Sequence, residues 1–151
     1  MARFRILGLL SLALAAGCSR DKPASIDDLN SAVVTLPSGK QIKAERMVLT
    51  TDLARGMMFR QSLAPDRGML FFHERDGTYS YWMYQTLIPL DILWMDRNRR
   101  IVEISADTPP CKTEASRCPH YGGSYRSRYV LEIGGGMAAK YGLKVGDVLE
   151  F

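Results

Sequence analysis

Residues 90–106 read LDILWMDRNRRIVEISA and contain two short apolar stretches separated by a polar one. The stretches Leu90–Asp96 and Ile101–Ala106 are rich in large and β-branched residues, which is typical of buried strands. The polar segment Arg97–Arg100 between them predicts a hairpin turn. Similar short runs bounded by turn residues recur over most of the chain, so the sequence predicts a mostly β fold.

The predicted elements fill residues 30–151 as one domain. We expect a β-rich α+β fold, with a single sandwich-like or barrel-like domain and one or two short helices. Besides the hairpin, the predicted strands are Ala32–Leu36, Gln41–Leu49, Met69–His73, Thr78–Tyr84, Arg128–Ile133 and Asp147–Phe151. The predicted helices are Asp52–Met58 and Met137–Tyr141, and Glu74–Gly77 is a predicted turn.

One acidic residue lies within the most apolar strand. Alternation places Asp91 on the same face as Leu93 and Met95. Because an unpaired buried carboxylate is costly, Asp91 needs a partner, and Arg60 is the candidate. The pair would either lock a helix to the sheet or form part of a ligand site.

The candidate ligand site combines Arg60 and Asp91 with Trp82, Gln85 and Thr86. An aromatic ring, an amide, a hydroxyl and a carboxylate within ten residues can line a pocket for a small polar ligand or glycan. The same residues are also compatible with an ordinary core. A hydrolase that uses Asp91 is an alternative, although the sequence offers no convincing second carboxylate.

Copper handling is a further alternative, because methionine thioethers bind Cu(I). The candidates are Met47, Met57, Met58, Met69, Met83, Met95 and Met137. They are spread along the chain without a tight cluster, and methionine also fills irregular cores. The sequence indicates no cofactor.

Residues 1–17 have the features of an export signal. Arg3 and Arg5 precede an apolar segment that is too short for a typical membrane span, and Ala15-Ala16-Gly17-Cys18 resembles a bacterial lipobox. The resemblance implies cleavage before Cys18 and lipidation of this residue, with 18–29 as a tether. Ser19 after the cysteine favours the outer membrane. Cleavage after Ala15, which would leave Cys18 as a free thiol, is the alternative.

Cys111 and Cys118 are the other two cysteines. In an oxidising compartment such a pair predicts a disulfide. A metal site that includes His120 is the alternative, but structural zinc sites need four ligands. The disulfide and the lipid attachment both predict a periplasm-facing envelope protein.

The charge of the chain argues against nucleic-acid binding. The formal net charge is +4, and it falls to about +2 when Arg3 and Arg5 leave with the signal. The remaining basic residues are scattered. The expected partners are therefore the membrane, through the lipid, and a small polar ligand or envelope component.

Eight short motifs lie along the predicted domain: Arg55–Arg60, Gly68–Phe71, Trp82-Met83, Thr86–Ile92, Ile101–Glu103, Pro109-Pro110, Tyr129–Glu132 and Gly142–Asp147. Together they resemble the DUF192 family of bacterial and archaeal proteins of unknown function. The resemblance implies one β-sandwich-like domain, often exported, and no known reaction. Tyr84 and Gln85 stand where the family usually has Lys and Asn, so a site that used the lysine would bind differently here.

Overall fold

The computed structural model describes residues 30–151. The predicted export signal, Cys18 and the predicted tether lie outside the described residues. The strands are β1 Ser31–Thr35, β2 Gln41–Met47, β3 Arg67–Gly77, β4 Tyr81–Trp82, β5 Leu90–Met95, β6 Ile101–Thr108, β7 His120–Tyr121 and β8 Ser127–Gly134. The helices are α1 Thr50–Arg55 and α2 Met137–Lys140, and a 3₁₀ turn spans Ala115–Arg117.

Six strands form one mixed sheet in the order β1-β2-β3-β8-β5-β6, and β4 pairs separately with β7. All pairs in the large sheet are antiparallel except β2–β3, which is parallel. A parallel pair needs a crossover connection, and here it contains α1 and the loop that follows. The mostly β prediction is confirmed, as are the β1–β2 and β5–β6 hairpins.

Three local predictions were wrong. The predicted strand Asp147–Phe151 is represented only by single bridges at Val148 and Glu150. The predicted turn at Glu74–Gly77 is part of β3, because this strand continues along β8 as far as the Gly77–Ser127 pair. The Arg126 side chain also donates to the carbonyl oxygen of Asp76. The predicted strand Thr78–Tyr84 is reduced to the two residues of β4, which pair with β7.

The C-terminal segment links the two edges of the large sheet at one end. Val148 bridges to Arg100, next to β6, and Glu150 bridges to Thr35 of β1. Both bridges are antiparallel and close the sheet in the manner of a barrel at this end. Closure of this kind protects sheet edges from pairing with other chains.

The sheet separates two apolar clusters. The first includes Leu70, Leu93, Leu131 and Leu149 and lies inside the closed end, against α2. The second includes Phe71, Ile92, Trp94 and Val130 and lies on the opposite face. Alternation along β5 and β8 distributes neighbouring residues between the two clusters. The second cluster forms the floor of the candidate site.

Within residues 30–151, no helix has the length and apolar character needed to cross a membrane.

Candidate functional site

Asp91 is fully buried, as the alternation in β5 predicted, but its predicted partner was wrong. Its carboxylate accepts hydrogen bonds from the backbone N–H groups of Asp107 at 2.7 Å, Gly136 at 3.0 Å and Ala138 at 2.5 Å. Two of these donors belong to the first turn of α2, where backbone N–H groups lack helical partners. Asp91 therefore fastens α2 to the sheet. A substrate cannot reach the buried Asp91 carboxylate, and this argues against a hydrolase that uses Asp91 as its catalytic acid.

Arg60 pairs with Glu45 of β2 instead of Asp91. Its two terminal nitrogens donate to the two carboxylate oxygens at 2.6 and 2.7 Å, which is a bidentate arrangement. The side chains are 38% and 42% exposed, respectively. They line an open groove of about 660 Å³ together with Lys43 and Arg67. The groove is large enough for a ligand, but this charged pair is mutually satisfied.

A small cleft on the second cluster's side of the sheet contains two of the predicted residues, Trp82 and Thr86. We call it the Glu132 cleft. Its volume is about 30 Å³, and it is lined by Leu53, Ala54, Arg55, Gly56, Met57, Met58, Phe71, Tyr81, Trp82, Tyr84, Thr86 and Glu132. A cavity needs about 10–15 Å³ to hold a water molecule, so the cleft has room for a small chemical group. Gln85, Arg60 and Asp91 do not line it.

Glu132 is the residue that gives the cleft its chemistry. It lies on β8 in the middle of the sheet, paired with Met69 on one side and Ile92 on the other, and only 4% of it is exposed. Burial raises the pKa of its carboxyl to about 8. Within residues 30–151, only two buried side-chain polar atoms lack a hydrogen-bond partner: Oε2 of Glu132 and Oγ of Ser127.

Gly56 brings the backbone close to the Glu132 carboxyl. It ends α1 with φ 45° and ψ −131°, a conformation that glycine adopts more readily than residues with a side chain. A Cβ atom at this position would lie 3.3 Å from Cζ of Phe71 and 3.7 Å from Oε2 of Glu132. Because residue 56 has no side chain, the space next to the unpartnered oxygen of Glu132 stays open.

Aromatic rings form the other wall. The Trp82 ring lies against Tyr84, with centroids 5.3 Å apart, and stacks on His120 at 5.8 Å. His120 belongs to β7, which pairs with β4. The backbone N–H of Cys111 donates to the Met83 carbonyl oxygen at 3.1 Å. The strand that carries Trp82 is thus held from two sides.

The Cys111–Cys118 disulfide is present, as predicted, with the Cα atoms 5.7 Å apart. Among the described residues, no group of three or more His, Cys, Asp or Glu side chains is placed to hold a metal ion.

Two residues in left-handed conformations lie next to each other here, one in the segment after α1 and one directly before Thr86. Phe59 has φ 64° and Gln85 has φ 56°, and the Phe59 N–H donates to the Gln85 carbonyl oxygen at 2.8 Å. Met58 and Thr86 form a bridge beside them. Such conformations cost about 1–3 kcal/mol each and often occur at functional sites. Thr86, which directly follows Gln85, is 5% exposed.

Tyr81 connects the cleft to His73. Burial, the Glu132 charge and Tyr79 all raise the pKa of Tyr81, so its hydroxyl stays protonated. This hydroxyl lies 3.2 Å from Nε2 of His73, whose ring stacks on Tyr79 with centroids 3.5 Å apart. Burial and Arg128 lower the pKa of His73 to about 4. The polar groups behind the cleft are therefore mainly neutral at pH 7.

The structure brings four methionines together in the second cluster. Met47, Met57, Met69 and Met83 are 8%, 2%, 1% and 0% exposed, and they pack among aliphatic and aromatic side chains. This is the environment of core-filling methionines. Copper binding stays a prediction that titration with Cu(I) can test.

Sequence reasoning missed Glu132 as a site residue. The signal was present, because alternation along Tyr129–Glu132 places Glu132 beside Val130 on a buried face. The same rule that identified Asp91 therefore applies to Glu132. Arg55 of the cleft had no comparable signal, since exposed arginine is common at helix ends. Tyr84 was indicated only by its place in a motif where the family usually has lysine.

The arrangement of Gly56, Trp82, Thr86 and Glu132 around one cleft draws on motifs that are far apart in the sequence. The family model for DUF192, described as Uncharacterized ACR, matches residues 33–151. The chain belongs to this family. The match covers the described domain almost completely and includes all the residues that line the Glu132 cleft.

Two solved structures are similar to this chain. A protein of unknown function from Novosphingobium aromaticivorans DSM 12444 is 31% identical, with a TM-score of 0.74 over 95% of this chain and 100% of that chain. A proposed transcription regulator from Sinorhizobium meliloti 1021 is 30% identical, with a TM-score of 0.69 over 78% of this chain and 89% of that chain. No curated protein matches the chain at a significant level.

Proposed function

We propose that this DUF192 domain is a non-catalytic binding module, displayed in the cell envelope, that holds a small polar group in the Glu132 cleft. The observation that carries the proposal is the buried Oε2 of Glu132, which lacks a partner beside a cavity of about 30 Å³. Leaving such an atom unpaired costs about 1–3 kcal/mol. A ligand that supplies the missing hydrogen bond or charge removes this cost, so the cleft favours an occupant.

Binding fits the cleft better than acid–base catalysis does. Hydrolysis by a carboxyl pair needs two such groups on either side of the scissile bond. Among the described residues that line the cleft, Glu132 is the single carboxyl. Asp91 belongs to the opposite side of the sheet and is occupied by three backbone donors.

The envelope location is supported by the lipobox resemblance at Cys18 and by the disulfide between Cys111 and Cys118. Acyl chains on Cys18 would tether the domain to the outer membrane through the segment 18–29. The substitution Cys18→Ser should abolish incorporation of a labelled fatty acid and release the protein from the membrane fraction. Unchanged incorporation would contradict lipidation at this residue.

Thermal shift with four probes tests the binding proposal. The probes are glucose, N-acetylglucosamine, acetate and n-butylammonium, which represent neutral polar, anionic and cationic groups. We expect at least one to raise the melting temperature of the wild-type chain, and we expect Trp82→Ala and Glu132→Gln to lose that shift. Tyr125→Ala is the matched control, because Tyr125 is an aromatic residue that is 59% exposed outside the cleft.

Two results would overturn the proposal. One is the absence of any shift with all four probes at millimolar concentrations. The other is a shift that persists in both Trp82→Ala and Glu132→Gln, because binding would then occur elsewhere.

A further inference from the structure

We propose that the group recognised in the Glu132 cleft is a primary ammonium on a flexible aliphatic chain, with the Glu132 carboxylate as its counter-ion. This inference rests on the proposed binding function and names the chemical class of the ligand.

The composition of the cleft favours a cation. Its floor holds one unpartnered carboxyl oxygen, and its walls hold the rings of Phe71, Tyr81, Trp82 and Tyr84. An ammonium removed from water needs an opposite charge. Aromatic rings add a favourable electrostatic contribution when the cation lies over their faces. A buried acid among aromatic side chains supplies both requirements.

The size of the cleft selects the kind of cation. The volume of about 30 Å³ accommodates about two water-sized groups. A primary ammonium and its first methylene are of this size. A quaternary ammonium carries three further methyl groups and exceeds it.

The rest of the ligand has a path out of the cleft. Arg55, Gly56 and Met58 line both the cleft and a neighbouring groove of about 280 Å³. Gly56 places no side chain across the opening, and Met58 offers a flexible thioether surface to an aliphatic chain. The groove also contains both acidic and basic side chains, Asp52 and Glu45 beside Arg55 and Arg60.

Arg55 is the feature that separates a cationic ligand from an anionic one. It is exposed at the rim of the cleft, and Asp52 lies one turn earlier on α1. If the ligand is a cation, exposed Arg55 contributes a weak, solvent-screened repulsion. If the ligand is an anion, Arg55 is its principal attractive charge.

Isothermal titration calorimetry at a pH of about 9, where Glu132 is mainly ionised, tests the inference on the full chain. The probes are n-butylammonium, n-butanol and butyrate, which have similar chains and differ in charge. We expect n-butylammonium to bind at least about tenfold more tightly than n-butanol, a difference of about 1.4 kcal/mol. Nα-acetyl-lysine amide is a fourth probe, because a lysine side chain on a partner protein carries the same ammonium.

Three variants complete the test. Glu132→Gln should weaken n-butylammonium binding by at least about tenfold, while Arg55→Ala should leave it unchanged or slightly stronger. The control is Arg75→Ala, which should leave it unchanged because Arg75 is exposed and lines neither the cleft nor the neighbouring groove. Circular dichroism spectra of the variants should match the wild type. Gln cannot ionise but has nearly the shape of Glu, so Glu132→Gln separates charge from packing.

The outcomes distinguish this inference from the binding function. Binding of n-butylammonium or of acetyl-lysine amide that is tighter than binding of n-butanol supports the inference. Tighter binding of n-butylammonium than of acetyl-lysine amide indicates a free amine as the ligand, and the reverse indicates a lysine side chain of a partner protein. Equal binding of n-butanol, or butyrate binding that Arg55→Ala abolishes, would overturn the ammonium class while leaving a binding cleft. Absence of binding by both ammonium probes would also overturn it, and a Glu132-dependent shift with a sugar or acetate would then still support the binding function.

Discussion

Asp91 and Glu132 are two buried carboxyl groups on opposite faces of one sheet, and they differ in what surrounds them. Asp91 accepts three backbone hydrogen bonds and has no access to solvent. Glu132 lies beside a small cavity, and its Oε2 has no partner among the described residues. A buried polar group that is satisfied stabilises the fold, whereas one that is unsatisfied requires an explanation such as strain, catalysis or a bound water, ion or ligand. The comparison gives Asp91 a structural role, and it is the basis on which we propose that Glu132 binds a ligand.

The largest predicted effect concerns Asp91. Asp91→Ala leaves three backbone N–H groups, of which that of Ala138 is buried, without their acceptor and frees α2 from the sheet, so the free energy of unfolding should fall by about 4 kcal/mol. Denaturant unfolding of the wild type and of the variant measures this loss of stability. The control is Glu150→Ala, an exposed acidic residue that should change stability by less than about 0.5 kcal/mol. A loss of less than 1 kcal/mol for Asp91→Ala would remove the contrast between the two carboxyl groups.

The Asp91 site shows how far sequence reasoning reaches. Alternation in residues 90–95 was enough to predict a buried acid, because one-residue alternation fixes the face of a strand. Its partners could not be predicted, since backbone N–H groups of Asp107, Gly136 and Ala138 leave no side-chain signature. Charge complementarity favoured Arg60 as the partner, but Arg60 pairs with Glu45 of β2. The sequence did not indicate the parallel pairing of β2 with β3.

The candidate site was predicted in part. Trp82 and Thr86 line the cleft, and they follow from a local cluster of aromatic and polar residues. Glu132 is 46 residues from Thr86 in the sequence, and only the pairing of β8 between β3 and β5 brings it under that segment. Such contacts depend on which distant strands pair with each other, and the turn residues that flank one strand do not predict this pairing.

The second prediction concerns the Cys111–Cys118 disulfide, which lies on the side of the molecule that holds the cleft and not beside Asp91. The disulfide closes a loop with a sequence separation of 7, and the double variant Cys111→Ala/Cys118→Ala should lose about 2.5 kcal/mol of stability. The backbone N–H of Cys111 donates to the carbonyl oxygen of Met83, the residue after Trp82. Hydrogen exchange in the variant should therefore accelerate in β4 and β7 more than at Ala138 near Asp91. Uniform acceleration at both places would show that the two regions do not differ in this respect.

The third prediction is a pH dependence of stability that Glu132 causes. Its pKa is about 8 in the folded chain and near 4.5 when unfolded. Between these pH values the folded state holds a proton that the unfolded state lacks. The free energy of unfolding therefore falls by about 1.4 kcal/mol for each unit by which the pH rises. His73, whose pKa is lowered to about 4, acts in the opposite direction below its unfolded value of 6.5.

The two contributions oppose each other up to a pH of about 6.5, and the decline caused by Glu132 should be visible from about 6.5 to 8, where it amounts to about 2 kcal/mol. Glu132→Gln should remove this decline, and Glu150→Gln should retain it. Denaturant unfolding at a series of pH values measures the slope. A wild-type stability that is flat over this range would mean that Glu132 is already paired or hydrated.

The smallest predicted effect concerns Arg60, which pairs with Glu45 in a partly exposed groove. Both side chains are more than a third exposed, so solvent screens the pair, and Arg60→Ala should cost less than about 1 kcal/mol, decreasing with added salt. A double-mutant cycle of Arg60→Ala with Glu45→Ala should give a measurable coupling energy. The corresponding cycle with Asp91→Ala should give none within about 0.3–0.5 kcal/mol, because the two side chains share no partner. A significant coupling there would mean that Arg60 stabilises the buried acid after all, and Asp91 would then no longer be a carboxylate satisfied by backbone groups alone.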